Sequence, residues 1–388
     1  MIQSPSSYPL IAIACGGTGG HLFPGLAIAE ALQLRGCRIA LLISEKEVDQ
    51  HAVRGVQGME IQSWPAVGLV GQNQLSFVRG FLKSFRLARA YFKKSKPSAI
   101  LAMGGFTSAA PIVAGRFCGA STFLHEANAI PGRANRWLAP WVDHAFVGFS
   151  SAAQRLRNPS VEFLGTPVRS QFQETDAAAC RMALGLHPDR PVFLIVGGSQ
   201  GAHGINKSFT EILPMVTATI PDLQFLHLTG SLDFEAVKAA YQKAGIKAAI
   251  HPFFTEMELA LGAASVAISR AGASSISEFA AMQLPALLVP YPDAADNHQY
   301  YNANELAQSG AALLISQDKM TSDVVLPALL GLLHDPMRRD ACKKALALWH
   351  HADSAEKIAN RVLQDIALPE VEFAHQPWLK RNNGVELL

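Results

Sequence analysis

Leu10-Ile-Ala-Ile-Ala-Cys15-Gly16-Gly17-Thr18-Gly19-Gly20-His21 is the stretch that decides the fold class. A short apolar run ends in a glycine cluster. Residues 24–34 then carry apolar side chains at helical spacing and stop at Gly36. Strand, glycine turn and helix in that order open a doubly wound α/β sheet. The same order returns at residues 191–196, which run into Gly197-Gly198-Ser199-Gln200-Gly201-Ala202. Between and beyond these lie further apolar runs at 38–43, 99–103, 121–124, 144–147, 224–228, 266–269 and 286–289. Continuous apolar runs separated by helical stretches predict parallel strands covered on both faces.

The reading is therefore α/β, with two Rossmann-like domains. Residues 158–170, rich in Pro, Gly and Asn, are the linker candidate, and residues 369–388 read as a loose tail. Ligands bind outside the carboxyl ends of such sheets, so the two glycine loops are expected to line a cleft between the domains.

Composition narrows the function. The 388 residues hold 33 Lys plus Arg against 31 Asp plus Glu, and a net charge of +2 excludes a generally basic nucleic-acid binder. Five cysteines without a C-x-x-C pair argue against a disulfide framework or zinc site and for a reducing compartment. The run before Cys15 follows no Lys or Arg and is short, so we read no export signal there. No stretch reaches the length of a membrane span, which predicts a soluble or peripheral protein inside the cell.

Five segments carry candidate chemistry. In the first loop, glycines let backbone N–H groups approach an anion at a helix start, and Pro24 suits a first helical turn. His21 there is a general base or a turn cap. Ser199 or Gln200 caps the helix after the second loop or touches a phosphate. Residues 269–278, Ser-Arg-Ala-Gly-Ala-Ser-Ser-Ile-Ser-Glu, suit a diphosphate and sugar at a helix start. Glu278 accepts ribose hydroxyls or balances the helix dipole. Residues 291–299 offer amides for a sugar, with Asp296 capping the next helix. Finally, His125-Glu126 is a base pair or a hydrogen-bonded brace, not a zinc motif. No Asp-x-Asp occurs, so no metal clamp is expected.

Residues 75–94 read as a basic amphipathic helix. Phe77, Phe81 and Phe85 recur at helical spacing among Arg79, Lys83, Arg86 and Arg89. Such a helix lies on anionic lipid or packs its aromatics into the core.

In their order, the two glycine loops, Met103-Gly104-Gly105-Phe106, Leu124-His125-Glu126-Ala-Asn128, the 269–278 segment and Asp296 to Gln299 resemble the MurG family of bacterial peptidoglycan synthesis. No single motif is specific, but the ordered set is, and it covers about residues 10–365. The resemblance implies a GT-B fold, with the acceptor and membrane contact in residues 1–167. UDP-GlcNAc binding falls to 168–368, whose last helix returns to the first domain. It implies an inverting glycosyltransferase of family 28 that moves GlcNAc from UDP-GlcNAc to the MurNAc 4-hydroxyl of lipid I, without cofactor or metal.

By the same resemblance, His21 is the candidate base and Glu126 a second catalytic candidate. Thr18, Gly19, Gly20, Asn128, Arg169, Ser199, Phe254, Gln299 and Ala273, Ser274, Ser275, Ile276, Ser277 and Glu278 contact the donor. Glu278 sits on the ribose, Asn128 and Gln299 on the GlcNAc. His125 and Phe106 belong to the acceptor side. The family is peripheral on the cytoplasmic face of the inner membrane, which favours lipid contact by Phe77, Arg79, Phe81, Lys83, Phe85 and Arg86. Partners in the division machinery are further implied. Two departures stand out: Phe106 replaces a Tyr of some members, and Asn297-His298 an Arg-Gln pair. The competing readings are a UDP-GlcNAc 2-epimerase-like enzyme and a membrane-docked nucleotide-sugar binder without turnover.

Overall fold

The computed structural model describes residues 8–17, 19–64, 74–198 and 201–366, with backbone alone at 47, 48, 51 and 74–77. The first sheet has the strands β1 Leu10–Ala14, β2 Arg38–Ser44, β3 Glu60–Trp64, β4 Ala99–Ala102, β5 Ser121–Glu126, β6 His144–Val147 and β7 Val161–Phe163. Their spatial order is β3-β2-β1-β4-β5-β6-β7, and every pairing is parallel. The accompanying helices are α1 Gly19–Leu34, α2 Glu47–Ala52, α3 Gln74–Ser95, α4 Ala109–Phe117, α5 Arg133–Leu138 and α6 Ser150–Ala153.

After α7 Ala177–Ala183 the second sheet begins. It holds β8 Val192–Val196, β9 Gln224–Leu228, β10 Ala249–His251, β11 Val266–Ser269, β12 Ala286–Leu288 and β13 Leu313–Leu314, ordered β10-β9-β8-β11-β12-β13. Its helices are α8 His203–Thr219, α9 Phe234–Lys243, α10 Met257–Ala263, α11 Ala273–Ala281, α12 His298–Gln308, α13 Ser322–His334, α14 Pro336–Ala347 and α15 Ser354–Asp365. In both sheets the strand order reverses beside the first strand, and that switch point is where doubly wound sheets place ligands.

Every residue of β1 is buried because both its faces are covered. Ile11 and Ile13 pack with Leu22, Leu26 and Ile28 of α1. Leu10, Ala12 and Ala14 face Ala88 and Phe92 of α3 and Ile112 of α4. Helix α15 crosses back to α1, adding Ile358, Ala359 and Val362 to the core of Ile11, Ile13 and α1. A hydrogen bond from Arg35 Nε to Asn360 Oδ1 (2.8 Å) ties its outer edge.

Two readings of the sequence need correction. The 158–170 linker contains β7, an edge strand paired with β6. Helix α1 starts at Gly19, so Pro24 lies inside the helix and not in its first turn. Proline has no N–H to give to the carbonyl four residues back. That carbonyl is Gly20, which instead accepts a hydrogen bond from Ser274 Oγ of the second lobe (3.0 Å).

Candidate active site

The first loop is held from below. Gly16 lies so close to β2 that a Cβ would stand 2.3 Å from the Ser44 nitrogen, and Gly17 has φ +118°. Gly17 N donates to Asp49 Oδ2 (2.6 Å), which also accepts from Ser44 N (3.1 Å), while Lys46 Nζ donates to the Gly17 carbonyl (3.0 Å). Next in the chain, Thr18 lies outside the described residues. His21, in the first turn of α1, sits over the Gly104–Gly105 turn that follows β4. A Cβ at Gly104 would lie 2.9 Å from its Nε2 and 3.3 Å from the Asn135 Nδ2. Positive φ at both glycines (+114° and +75°) makes the turn available to glycine and to little else.

Burial lowers His21 to a pKa of about 4. Asp49 opposes that shift, and His298 and Lys46 reinforce it. The imidazole is therefore neutral at physiological pH.

Glu126 ends β5 and is buried. Its Oε1 accepts from the backbone and side-chain nitrogens of Asn128 (2.9 and 3.0 Å), and its Oε2 from Gly132 N and Asn135 Nδ2 (both 2.8 Å). Four donors on one carboxylate make Glu126 a hydrogen-bonded brace of the loop after β5. His125, which the resemblance assigns to the acceptor side, is enclosed. It has no exposed surface, its Nε2 bonds the Gly165 carbonyl (3.0 Å), and burial holds its pKa near 4. It fastens the segment between the lobes. Phe106 begins the short turn after Gly105 and is half-buried.

Across the cleft, α11 begins at Ala273 after Gly272, with no side-chain cap on its first N–H groups. Ser274 bonds Gly20, and Ser277 Oγ turns back to the Ala273 carbonyl (3.0 Å). Ala273 and Ile276 are core residues, so only their backbone is available to a ligand. Ser275, like Ser274, is half-buried. Glu278 sits 3.9 Å from Arg169 Nη2. The Arg169 guanidinium lies between the rings of Phe23 (4.3 Å) and Phe172 (5.0 Å). Burial lifts Glu278 to a pKa of about 7 against the pull of Arg169, with Glu258 of α10 adding to the rise. Phe254 lies between β10 and α10, 5.1 Å from the His251 ring. Ser199 and Gln200 lie outside the described residues.

The loop into α12 differs from its reading. Asp296 caps no helix: it has φ +50° and pairs with Arg133 Nη2 (3.3 Å) and Arg136 Nη2 (2.5 Å) of α5, on the first lobe. Gln299 Oε1 accepts from Tyr291 N (2.9 Å), and among the described residues its NH2 has no protein partner. Beside this loop a cavity of about 1010 Å³, lined partly by His203, Lys207, Tyr291 and Tyr300, contains none of the donor residues read from the sequence. Among the described residues, no three His, Cys, Asp or Glu side chains gather as a metal site.

The chain matches the glycosyltransferase family 28 N-terminal domain over residues 11–147 and its C-terminal domain over 192–362. It is 35% identical over 357 residues to a UDP-N-acetylglucosamine–N-acetylmuramyl-(pentapeptide) pyrophosphoryl-undecaprenol N-acetylglucosamine transferase of Synechocystis sp., covering 90% of this chain and 95% of that one. A protein of the same name from Geobacter sulfurreducens is 33% identical, with 91% and 98% covered. The chain belongs to this transferase family. Among solved structures, Acinetobacter baumannii MurG superposes with TM-score 0.69 at 25% identity, over 92% of this chain and 99% of that one. A UDP-N-acetylglucosamine 2-epimerase at 10% identity (TM-score 0.67) shares the fold.

Within the family frame, the structure adds residues that the sequence reading passed over. Asn302 of α12 is fully buried and bonds Ala129 N, Asn128 Oδ1 and the Ala271 carbonyl. Its signal was an amide on the face of α12 that also carries buried Ala303 and Leu306. Asp49, beneath the first loop, gave no motif signal.

The Glu126 brace makes a direct prediction. In Glu126→Gln, an NH2 group must face two of the four N–H donors. The expected loss is about 1–3 kcal/mol of stability, read as a lower Tm. An unchanged Tm would show that the two bonds opposed in the variant contribute nothing.

Proposed function

We propose that the chain moves N-acetylglucosamine from UDP-N-acetylglucosamine to the 4-hydroxyl of the MurNAc residue of undecaprenyl-pyrophosphoryl-MurNAc-pentapeptide (lipid I), giving lipid II. One observation carries the placement of the donor: the uncapped first turn of α11 meets Gly20 of the first loop across the cleft, with Arg169 and Glu278 behind it. Backbone N–H groups at a helix start suit a diphosphate, and Arg169 adds positive charge. Glu278 accepts ribose hydroxyls, and Asn128 and Gln299 hold the sugar.

The acceptor oxygen attacks the anomeric carbon from the face opposite the diphosphate. The new C–O bond forms as the bond to UDP breaks, and His21 takes the hydroxyl proton. UDP release that depends on an acceptor with the MurNAc 4-hydroxyl tests this. Conversion of UDP-N-acetylglucosamine without acceptor would place the chain with the epimerases, and binding without turnover would make it a sensor.

Among the described residues, no helix is long and apolar enough to cross a membrane. The acceptor's polyprenyl tail nevertheless keeps it in the bilayer, so the chain must come to the lipid. Helix α3 fits that task on the cytoplasmic face. Phe81 packs edge-on against Trp137 (6.2 Å) and Phe85 against Phe117 (6.1 Å). The outer layer is then Phe117 (73% exposed), Trp137, Val78 and Leu82, bordered by exposed Arg79, Lys83 and Arg86. The Phe77 side chain lies outside the described residues. Each cation near an anionic surface contributes about 1 kcal/mol. Reversing Arg79, Lys83 and Arg86 to Glu is expected to weaken binding to anionic vesicles by about a hundredfold or more. Undiminished binding in a flotation assay would remove α3 from the membrane.

A further inference from the structure

The amides at the lobe seam form a chain whose orientation is forced. The Glu126 carboxylate meets only N–H donors, so Asn128 must turn its NH2 toward it (3.0 Å). The Asn128 oxygen then faces Asn302, which must present its own NH2 (3.0 Å). The Asn302 oxygen is left to accept from Ala129 N (2.9 Å), and its second N–H reaches the Ala271 carbonyl (3.1 Å). Both Asn302 N–H groups are used, and the residue has no exposed surface. Asn128 is half-buried and keeps one N–H for a ligand. Ala271 stands two residues before α11, so one side chain joins the loop after β5 to the platform proposed for the diphosphate.

We propose that Asn302 is a positioning residue for the transfer. It locks the carboxamide of Asn128 so that an N–H, not the oxygen, is offered to the donor sugar, and it sets the distance from that amide to the start of α11. This inference rests on the proposed placement of the sugar at Asn128.

Asn302→Asp tests it with little change of shape. The variant still accepts from Ala129 N, but its second oxygen opposes both the Asn128 oxygen and the Ala271 carbonyl. Asn128 must flip to donate to it, which turns an oxygen toward the acceptor-only Glu126. The measurement is calorimetric affinity for UDP-N-acetylglucosamine and for UDP alone, in wild type and variant. The expected result is a loss of about tenfold for the sugar nucleotide, the size of one misplaced buried hydrogen bond, with UDP affinity kept within about twofold. KM for the donor rises accordingly. Asn302→Ser, which removes the opposing oxygen and keeps a small donor, is expected to lose less than Asn302→Asp, and it serves if the aspartate variant does not fold. Equal losses for UDP and the sugar nucleotide, or no loss for either, would overturn the positioning role. If wild type binds UDP-N-acetylglucosamine no better than UDP, and Asn128→Ala changes neither, then the placement of the sugar fails instead.

Discussion

His21→Ala is expected to lower kcat by about a hundred- to ten-thousandfold, the range a positioned general base supplies, while the KM for donor changes little. The ring stands over the Gly104–Gly105 turn at the mouth of the first lobe, and its pKa of about 4 keeps it unprotonated. Its folded value lies below the ordinary 6.5, so its contribution to stability is present above pH 6.5 and is lost as pH falls toward 4. A base this weak is poorly matched to a hydroxyl. In the proposed placement the donor's diphosphate changes that, because negative charge entering the cleft raises the imidazole pKa toward about 7. His21→Gln, which keeps a polar side chain but takes no proton, is expected to be as slow as the alanine variant. If either variant keeps wild-type kcat, His21 is the turn cap that the sequence also allowed.

The second large effect concerns Glu278. In the proposed placement its ionised form accepts from both ribose hydroxyls, and burial places its pKa at about 7. Affinity for UDP-N-acetylglucosamine is therefore expected to fall as pH drops from 8 to 6, by about tenfold per unit once below the pKa. Glu278→Gln is expected to flatten that dependence and to weaken binding at pH 8 by about ten- to a hundredfold, the loss of one charge-assisted hydrogen bond. The stability of the free protein moves the other way. A carboxyl whose pKa is raised on folding stabilises fully below its unfolded value of 4.5, and that gain is lost as pH rises through 7. Thermal melts at pH 5 and pH 8 thus read the same group independently. A donor affinity that is flat between pH 6 and 8 in wild type would remove Glu278 from the ribose.

The central strands were legible because β1, β8 and β11 are short, buried runs closed by glycine or by a polar turn. Edge strands were not. β3 and β7 have half-exposed, mixed sequences that periodicity cannot separate from loop. The start of α1 was hidden because Gly19 and Gly20 disfavour helix and Pro24 usually marks a first turn. Tertiary contacts override both. Gly19 lies against the Phe23 ring, where a Cβ would stand 3.1 Å away, and the carbonyl that Pro24 frees is taken by Ser274. Asp296 reads locally as a cap, yet two arginines of the other lobe are better partners than a helix start. The seam amides share this cause: Asn302 acts on Asn128 and Ala129 from far along the chain, a distance no local pattern reports.

A crystal structure of the chain with UDP-N-acetylglucosamine is the most direct measurement. The account predicts the diphosphate on the first N–H groups of α11, the ribose hydroxyls on Glu278, and the sugar between Asn128 and Gln299. A nucleotide seated in the cavity beside Tyr291 and Lys207, away from Glu278, would contradict it.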